Sequence, residues 1–375
     1  MNKYSLVFIL LQSTLPYIYS EDQTEQSHCI RSRGAESVRW IHYKNSSVHP
    51  VKIPYPNWSS AQIFAQVMYI LLTEVMGYKA ELVRFDGEDS AIVAAAAGCL
   101  DERDINCTLR NTEDPKVHFT LESWIDGITL ANTLPLEVRP TLLNVLDYDL
   151  DDGYFFWESI GDDAIRPPEH PMLEYYGSYD AAHHKPHVHF DPWTTLFDLL
   201  PEDTILRCSD FWANYNAFTG PGSNGQAARD AYTRLSNDSD FSCHRDAVWF
   251  SPACRANTTE CVPLVLMYHF DWAMQRAAAH RMPLAILMVS SFVTGDYDAY
   301  MAAIHRGRFL FHWTEPDDGL FDPDGRPPRL LALPRINERE HARGVHSSGA
   351  AGLKGRNYAW RGLRDADPFV AALAA

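Results

Sequence analysis

Residues 51–77 read VKIPYPNWSSAQIFAQVMYILLTEVMG and predict a strand, a turn and a helix in immediate succession. Alternating apolar residues over 51–55 indicate a short strand, and the prolines within and after it indicate that its pairing soon ends. Ser59 and Gln62 have the form of a capping box, and apolar residues then recur at helical spacing until a glycine ends the pattern. Trp58 is therefore expected between the carboxyl end of a strand and the start of a helix, where open α/β sheets bind ligands.

The alternation of strand and helix continues downstream. Residues 80–85 predict a second strand, residues 88–100 an alanine-rich helix, and residues 116–124 a third strand. Such a β-α-β-α-β series implies an α/β fold with a parallel sheet. If the chain reverses direction after the second strand, the right-handed crossover rule puts the first and third strands side by side, and in that order Trp58 and Trp124 share one rim.

The remainder of the chain predicts a second region with its own elements. Residues 148–201 lack clean periodicity and are interpreted as loops and a crossover, while residues after Gly325 turn basic and are set apart as a tail. Between them the spacing of apolar residues predicts three helices and two strands. The helices are expected at 226–235, 265–280 and 297–306, and the strands at 284–293 and 308–313.

Composition limits the function classes. A chain of 375 residues that is 46% apolar can bury two lobes of ordinary domain size. The formal net charge of −17 argues against a nucleic-acid binder and favours the attraction of cations. Residues 1–20 predict a cleaved secretory signal, because their apolar run is too short to span a membrane.

The seven cysteines fit an oxidising compartment. Short loops would be closed by disulfides between Cys254 and Cys261 and between Cys99 and Cys107. A third disulfide could join Cys208 to Cys243, which would leave Cys29 unpaired or bonded to another chain. Spacing alone does not fix the pairing. Five N-glycosylation sequons also fit a secretory route. They begin at Asn45, Asn57, Asn106, Asn237 and Asn257, of which Asn57 would place a glycan beside Trp58.

Three tryptophans, Trp58, Trp124 and Trp313, each close a predicted strand and are followed by a turn-like sequence. Each one alone is more often a core residue. A cation held against several indole faces gains about 0.5–2 kcal/mol from each, and a quaternary ammonium group offers no hydrogen bond to compete for. Together the three positions favour an aromatic cage for such a cation.

The segments around these tryptophans carry a specific resemblance. The stretch around Trp58, the strand end HFTLESW at Trp124 and FLFHWTEP at Trp313 resemble the substrate-binding proteins of glycine betaine/choline ABC transporters, the OpuAC-like group of type II periplasmic binding proteins. The resemblance covers residues 51–316 and is weak between these three places. It implies two α/β lobes that close over a ligand, with the caging role carried by Trp58, Trp124 and Trp313, while Glu122 could add negative charge at the pocket.

The resemblance also implies a division of the chain. Residues 1–20 would be the signal peptide, residues 50–147 the first part of lobe I, and residues 148–295 lobe II with its connecting loops. Residues 296–325 would return to lobe I, and residues 326–375 form the tail. The implied protein is no enzyme, needs no cofactor or metal, lies outside the cytoplasm and delivers its ligand to an ABC transporter membrane complex or senses it.

One departure from the family concerns the choice of ligand. Betaine-binding members often follow the last tryptophan with a Pro-His pair that helps to hold the carboxylate, whereas here Trp313 is followed by the sequence TEPDD. An acidic turn would repel a carboxylate. Choline or another simple quaternary amine is therefore as strong a candidate ligand as glycine betaine.

Several other patterns carry rival readings. A secreted metal-dependent hydrolase could bind its metal through the carboxylates of residues 147–158 or through the histidines of residues 183–189. The acidic stretch resembles a calcium loop, but its glycine lies one position away from the place that a calcium loop requires. The histidine stretch more often forms an exposed loop. A GxGxxG string ends at Gly225 without a clear preceding strand, and no catalytic motif is found.

The second lobe's side of the cleft could be lined by Trp193, Phe211 and Trp212, although such residues more often pack in a core. A receptor ectodomain would share the amine ligand.

Overall fold

The computed structural model describes residues 38–56, 58–85, 89–102, 104, 106–165, 171–180, 183–215, 225–267, 269–290, 296–315, 320–334 and 353–375. The predicted signal peptide, Cys29, Asn57 and the first two glycines of the GxGxxG string lie outside these residues. Within them the protein is a mixed α/β structure with eleven strands and eleven helices.

The strands are numbered in chain order, and most are short. They are β1 (Ile41–His42), β2 (Val48–His49), β3 (Val51–Tyr55), β4 (Ala80–Arg84), β5 (Thr141–Trp157), β6 (Val248–Phe250), β7 (Val262–Leu266), β8 (Leu284–Met288), β9 (Leu310–Glu315), β10 (Pro328–Leu330) and β11 (Leu353–Ala359).

The helices are numbered in the same way. They are α1 (Ser59–Ile70), continued by a π-helical turn (Leu71–Val75), α2 (Asp89–Ala97), α3 (Ile125–Thr133), α4 (Glu158–Ala164), α5 (Leu196–Leu199), α6 (Cys208–Ala213), α7 (Gly225–Ser236), α8 (Phe270–Ala279), α9 (Asp296–Arg306), α10 (Leu363–Ala366) and α11 (Pro368–Leu373).

A seven-stranded sheet dominates the structure, in the order β10-β5-β9-β7-β8-β6, with β11 paired to the other half of β5. Strands β7, β8 and β9 are parallel, and β7 and β8 are apolar and buried over their whole length, as expected of strands covered on both faces. β5 is the longest strand: residues 151–157 pair with β9 and β10, whereas residues 141–150 pair with β11. It therefore connects the large sheet to the carboxyl-terminal part of the chain.

The hydrophobic core divides in the same way as β5. A large core surrounds the seven-stranded sheet and takes its residues from positions 154–333. A second core, which we call the terminal core, combines residues 41–80 and 119–121 with residues 359–374. Two smaller clusters beside the terminal core pack helices α2 and α3.

Most of the locally encoded elements are confirmed. The predicted strand-helix-strand-helix series appears as β3, α1, β4 and α2, and β3 pairs with β4 in parallel. Further on, α7, α9, β8 and β9 lie where periodicity predicts them. Gly77 ends the first helical segment in the left-handed region with a φ of 74°, a conformation that glycine adopts without strain.

Four predictions of secondary structure are wrong. Residues 116–124 form no continuous strand in the described structure but an extended segment with isolated bridges to β11. Helix 265–280 is shorter, because its first residues complete β7. Residues 148–157 belong to β5 rather than to a loop. The predicted capping box is not formed: Trp58 is the N-cap residue and the Gln62 side chain donates to the Pro56 carbonyl oxygen over 2.9 Å.

The chain also returns to its first part later than expected. Residues 296–325 contribute α9 and β9 to the large core, whereas residues 353–375 supply β11, α10 and α11 and complete the terminal core. Residues 353–375, which belong to the segment set apart as a tail, are thus part of the fold, because Leu363, Val370 and Ala371 are buried against the amino-terminal elements.

Three disulfides stabilise the described chain, and all three agree with the sequence expectation. They join Cys99 to Cys107, Cys208 to Cys243 and Cys254 to Cys261. Among the residues whose structure is described, no helix has the length and apolar character needed to cross a bilayer.

Candidate ligand-binding site

A buried carboxylate, that of Glu122, gathers aromatic side chains from separate parts of the chain. Only 2% of Glu122 is exposed. Its Oε1 accepts hydrogen bonds from the Trp58 indole nitrogen and, over 2.6 Å, from the Ser60 hydroxyl. Its Oε2 accepts one from the Tyr148 hydroxyl over 3.0 Å. Trp124 contacts Tyr148, with ring centroids 5.8 Å apart and ring planes at 63°. We call these four residues, Trp58, Glu122, Trp124 and Tyr148, the aromatic cluster.

Trp58 reaches the cluster because it stands at the start of α1. Its backbone is extended, with φ −109° and ψ 148°, and its carbonyl oxygen accepts the Gln62 N–H over 3.1 Å. The half-buried indole packs on a small apolar group that includes Phe85 and Val117. One part of the ring is thus fixed by packing, and its N–H by Glu122.

Trp124 occupies the equivalent position at the start of α3. Its backbone N–H donates to Asp89 Oδ2 over 2.5 Å, which ties the beginning of α3 to the beginning of α2. Its ring lies against Gly355 of β11, where a Cβ atom would come within 2.8 Å of the indole. The missing side chain of Gly355 therefore creates the space that the Trp124 ring occupies.

Tyr148 enters the cluster through an irregularity in β5. Asp149 pairs with Lys354 and Val145 with Arg356, so residues 146–148 face the single residue Gly355. Extra residues of this kind bulge out of a strand and redirect its side chains. The bulge explains how a residue of a long strand turns towards Glu122.

The electrostatics of the cluster favour a cation. Burial, together with the neighbouring Glu122 charge, raises the pKa of the Tyr148 hydroxyl, so that this group stays a neutral donor. The carboxylate of Glu122 makes its hydrogen bonds to side chains of the protein itself. The cluster thus combines negative charge and aromatic rings, the two features that attract a cation without a hydrogen bond to it.

Trp313 lies in another environment. It is 7% exposed within the large core, on β9 and opposite Gly153 of β5. Its indole nitrogen is buried and has no hydrogen-bond partner among the described residues. The structure therefore brings Trp58, Glu122 and Trp124 together and places Trp313 in the core of the seven-stranded sheet.

A buried polar group lies on the opposite face of the same two strands. Asp152 accepts from the Thr314 hydroxyl over 3.1 Å and lies 2.7 Å from His312 Nε2 and 3.9 Å from the Arg276 guanidinium. Burial opposes the ionisation of Asp152, but His312, His269 and Arg276 outweigh it and lower the pKa of its carboxyl. This compensation indicates an internal ion-pair network at the end of the large sheet.

The polar group and the aromatic cluster approach each other through α3 and α8. His269 precedes α8 in a left-handed conformation, with φ 61°, and stacks on Trp272 at 3.8 Å. Burial lowers the pKa of His269 to about 3, while the negative charges of Asp152 and of Asp126 on α3 act in the opposite direction. The beginning of α3, which carries Trp124, is therefore close enough to the beginning of α8 for their charges to interact.

The other expected lining residues belong elsewhere. Trp193 packs at the surface of the large core, where its ring contacts Phe250 at 5.1 Å, and Phe211 is buried within that core. Cavities of about 550 Å³ flank Trp212, but the Arg229 guanidinium already lies 4.4 Å over its ring. The Arg229 guanidinium thus already lies over the Trp212 indole, so this ring is unfavourable for binding a second cation.

The candidate metal ligands are dispersed. Residues 147–157 lie along β5, where Asp149 pairs with Lys354 and Asp152 with the buried Arg276, and residues 183–189 belong to a loop and a 3₁₀ turn. In the described part of the chain no three His, Cys, Asp or Glu side chains are grouped so as to hold a metal ion.

Sequence reasoning missed Tyr148, Gly355 and Asp89. Tyr148 falls in an acidic stretch that masks the alternation of β5, and Gly355 falls in the supposed tail. Asp89 had an available signal, since an Asp near the start of a predicted helix often binds backbone N–H groups. The sequence matches no family model, and no significant match is found among curated proteins.

Proposed function

We propose that this protein is an extracytoplasmic solute-binding protein that captures a quaternary ammonium compound, choline or glycine betaine, at the aromatic cluster. The observation that carries this proposal is the meeting of Trp58, Trp124 and Tyr148, from three separate segments, around the buried carboxylate of Glu122. Trp58 and Trp124 are both half-buried, so neither ring is sealed in a core.

The chemistry of the cluster selects methylated ammonium groups. Each indole or phenol face contributes about 0.5–2 kcal/mol to a desolvated cation. Glu122 attracts positive charge, but its oxygens already accept from Trp58, Ser60 and Tyr148. These three donors leave about one acceptor position, on Oε2, so a primary ammonium group would exchange three hydrogen bonds to water for about one, whereas a trimethylammonium group has none to lose.

The arrangement of cores supports a two-lobed, type II periplasmic-binding-protein fold. The terminal core with its neighbouring clusters would be lobe I, and the large core lobe II, joined through β5. The aromatic cluster lies where β5 passes from β11 to β9, and Asp126 and His269 approach from the two sides. A ligand that binds between the two lobes could be retained when the lobes close about a hinge.

The proposed contact residues are Trp58, Glu122, Trp124 and Tyr148. Trp313 is left out because its ring is enclosed in the large core. The described residues contain no group of metal ligands that would support the rival function of a metal-dependent hydrolase, and we do not propose that function.

The cellular role that we propose is delivery of the amine to an ABC transporter, or its sensing, outside the cytoplasm. Three disulfides support an oxidising compartment. The four described sequon asparagines, Asn45, Asn106, Asn237 and Asn257, are all exposed, as glycan attachment requires.

Isothermal titration calorimetry tests the binding function. Choline and glycine betaine are titrated into wild type, Trp58→Ala and Trp124→Ala, with ethanolamine as the primary-amine comparison. Trp40→Ala is the matched control, because Trp40 is a partly exposed tryptophan outside the cluster. We expect binding of at least one methylated amine that both cluster variants lose and the control keeps. Equal binding by all variants, or no binding by wild type, would overturn the proposal.

A further inference from the structure

Asp89 connects the aromatic cluster to the ends of two helices. It is the first residue of α2 and is 8% exposed. Its Oδ2 accepts the Trp124 N–H over 2.5 Å, and the Gly127 N–H donates to both carboxylate oxygens, over 3.0 and 3.1 Å. Its carboxylate thus binds the backbone of the cage residue Trp124 and the first turn of α3.

Gly127 makes this approach possible. A Cβ atom at position 127 would lie 2.6 Å from Asp89 Oδ2, well inside contact distance. Since only glycine leaves this space, the backbone of α3 and the carboxylate fit each other closely. The position of Trp124 therefore depends directly on Asp89, whose carboxylate binds its backbone N–H.

We propose that Asp89 is a positioning residue of the amine site, which holds Trp124 in the binding orientation and makes amine affinity depend on the ionisation of its carboxyl. This inference rests on the proposed function and adds regulation to it. When the carboxyl is ionised, its bonds to the two N–H groups are charge-assisted, and its charge adds to that of Glu122 near the bound cation. When it is protonated, both contributions weaken.

The charges around Asp89 support titration in the neutral range. Burial and the neighbouring Asp126 charge raise the pKa of Asp89 to about 7, against the lowering effect of the backbone donors of Trp124, Gly127 and Ser90. Asp126 belongs to α3. Strand β11 also packs on α2, and its charged residues are Lys354, paired with Asp149, and Arg356. The end of β4 and the segment around Val117 pack on the same helix, and their charged residues are Glu81, Arg84 and Lys116.

The sign of the stability effect separates this role from ordinary capping. Because the folded pKa lies above the unfolded value of about 3.9, the folded state holds the proton more tightly, and stability falls as pH rises from there to about 7. An ionised Asp89 thus costs folding stability. A charge retained at such a cost is typical of a functional site.

The test measures choline affinity by calorimetry between about pH 5.5 and pH 8.5 for wild type, Asp89→Asn and Asp126→Asn, a range centred on the raised pKa. For wild type we expect affinity to rise about tenfold through neutral pH. Asp89→Asn should bind weakly at every pH, with no such rise. Asp126→Asn keeps both bonds of Asp89 but lacks the second charge, so its rise should move to lower pH.

The melting temperature of the ligand-free proteins at about pH 8 supplies the second readout, since wild-type Asp89 is then ionised. Asp89→Asn should melt at or above the wild-type temperature although it binds choline poorly. A variant that melts lower and keeps the wild-type affinity and pH profile would show a merely structural cap and overturn the inference. Wild-type binding with a pH rise that survives in Asp89→Asn would overturn this inference alone, and no amine binding by wild type would overturn the proposed function as well.

Discussion

The indole N–H of Trp58 donates to Glu122 Oε1, the same oxygen that accepts the Ser60 hydroxyl. This relationship joins the start of α1 to the segment before α3 and turns a buried carboxylate towards aromatic rings. Electron density in an indole increases when its N–H donates to an anion, so the bond also strengthens the attraction of the ring face for a cation.

Replacement of Glu122 by glutamine tests the charge of the cluster at nearly constant size. Glu122→Gln should weaken choline binding by about tenfold or more, since the charge is lost and the amide cannot accept all three donors. Calorimetry measures the affinity, and Glu113→Gln, an exposed glutamate outside the cluster, is the control. Unchanged affinity in Glu122→Gln would show that the carboxylate does not attract the ligand.

Replacement of Gly355 by alanine tests the packing that places Trp124. The new Cβ atom would come within 2.5 Å of Leu146 Cδ1 and 2.8 Å of the Trp124 ring, so the indole must move. We expect loss of choline binding together with about 1–3 kcal/mol of destabilisation. Urea unfolding and calorimetry measure the two effects. Lys354→Ala, in the preceding and more exposed position, should retain binding, and retention by Gly355→Ala would contradict the proposed geometry.

His118 makes the fold sensitive to acid. Its Nδ1 accepts the Lys52 N–H over 2.9 Å, and its Nε2 lies 2.6 Å from the Tyr43 hydroxyl oxygen. Burial, helped by the charges of Lys52 and His49, lowers the pKa of this fully buried imidazole to about 3. Because the folded pKa is below the unfolded value of about 6.5, the stability contribution is complete above about pH 6.5 and is lost as pH falls towards 3.

The corresponding measurement is urea unfolding of wild type and His118→Gln at several pH values. The stability advantage of wild type should shrink by about 3 kcal/mol between about pH 7 and pH 4. Subtraction of the variant removes the contributions of other titrating groups, including Asp89, whose sign is opposite. A difference that stays constant across this range would mean that His118 is not a buried neutral imidazole.

The three disulfides should contribute unequally. The Cys208–Cys243 disulfide closes a loop with a sequence separation of 35, whereas Cys254–Cys261 has a separation of 7. Loop-closure entropy predicts that the double Cys→Ala variant of the first pair loses about 4 kcal/mol and that of the second about 2 kcal/mol. Urea unfolding gives both values, and the reverse order would show that native contacts dominate over loop length.

The sequence predicts those parts of the fold that depend on near neighbours. The first strand, its helix and the glycine that ends the helical segment are encoded within residues 51–77, and Trp58 is correctly placed before a helix. Trp124 is predicted at the end of a strand, whereas the structure has an irregular extended segment there, and the helix α3 that begins after it is not predicted. The position of Trp58 follows from periodicity and turn chemistry alone.

The rest depends on pairing between distant segments. β5 and β11 are separated by about 200 residues of chain, and neither has a clear local pattern. The acidic residues 147–152 conceal the alternation of β5, and the bulge that redirects Tyr148 exists only opposite Gly355. Trp313 shows the same limit, since its strand is predicted correctly but the face on which it lies is set by pairing with Gly153.

A crystal structure of the protein with choline tests the central claim most directly. We predict electron density for the trimethylammonium group within about 6 Å of the ring centroids of both Trp58 and Trp124, with Tyr148 alongside. Choline bound where it touches neither indole, for example beside Trp212, would contradict the proposed site.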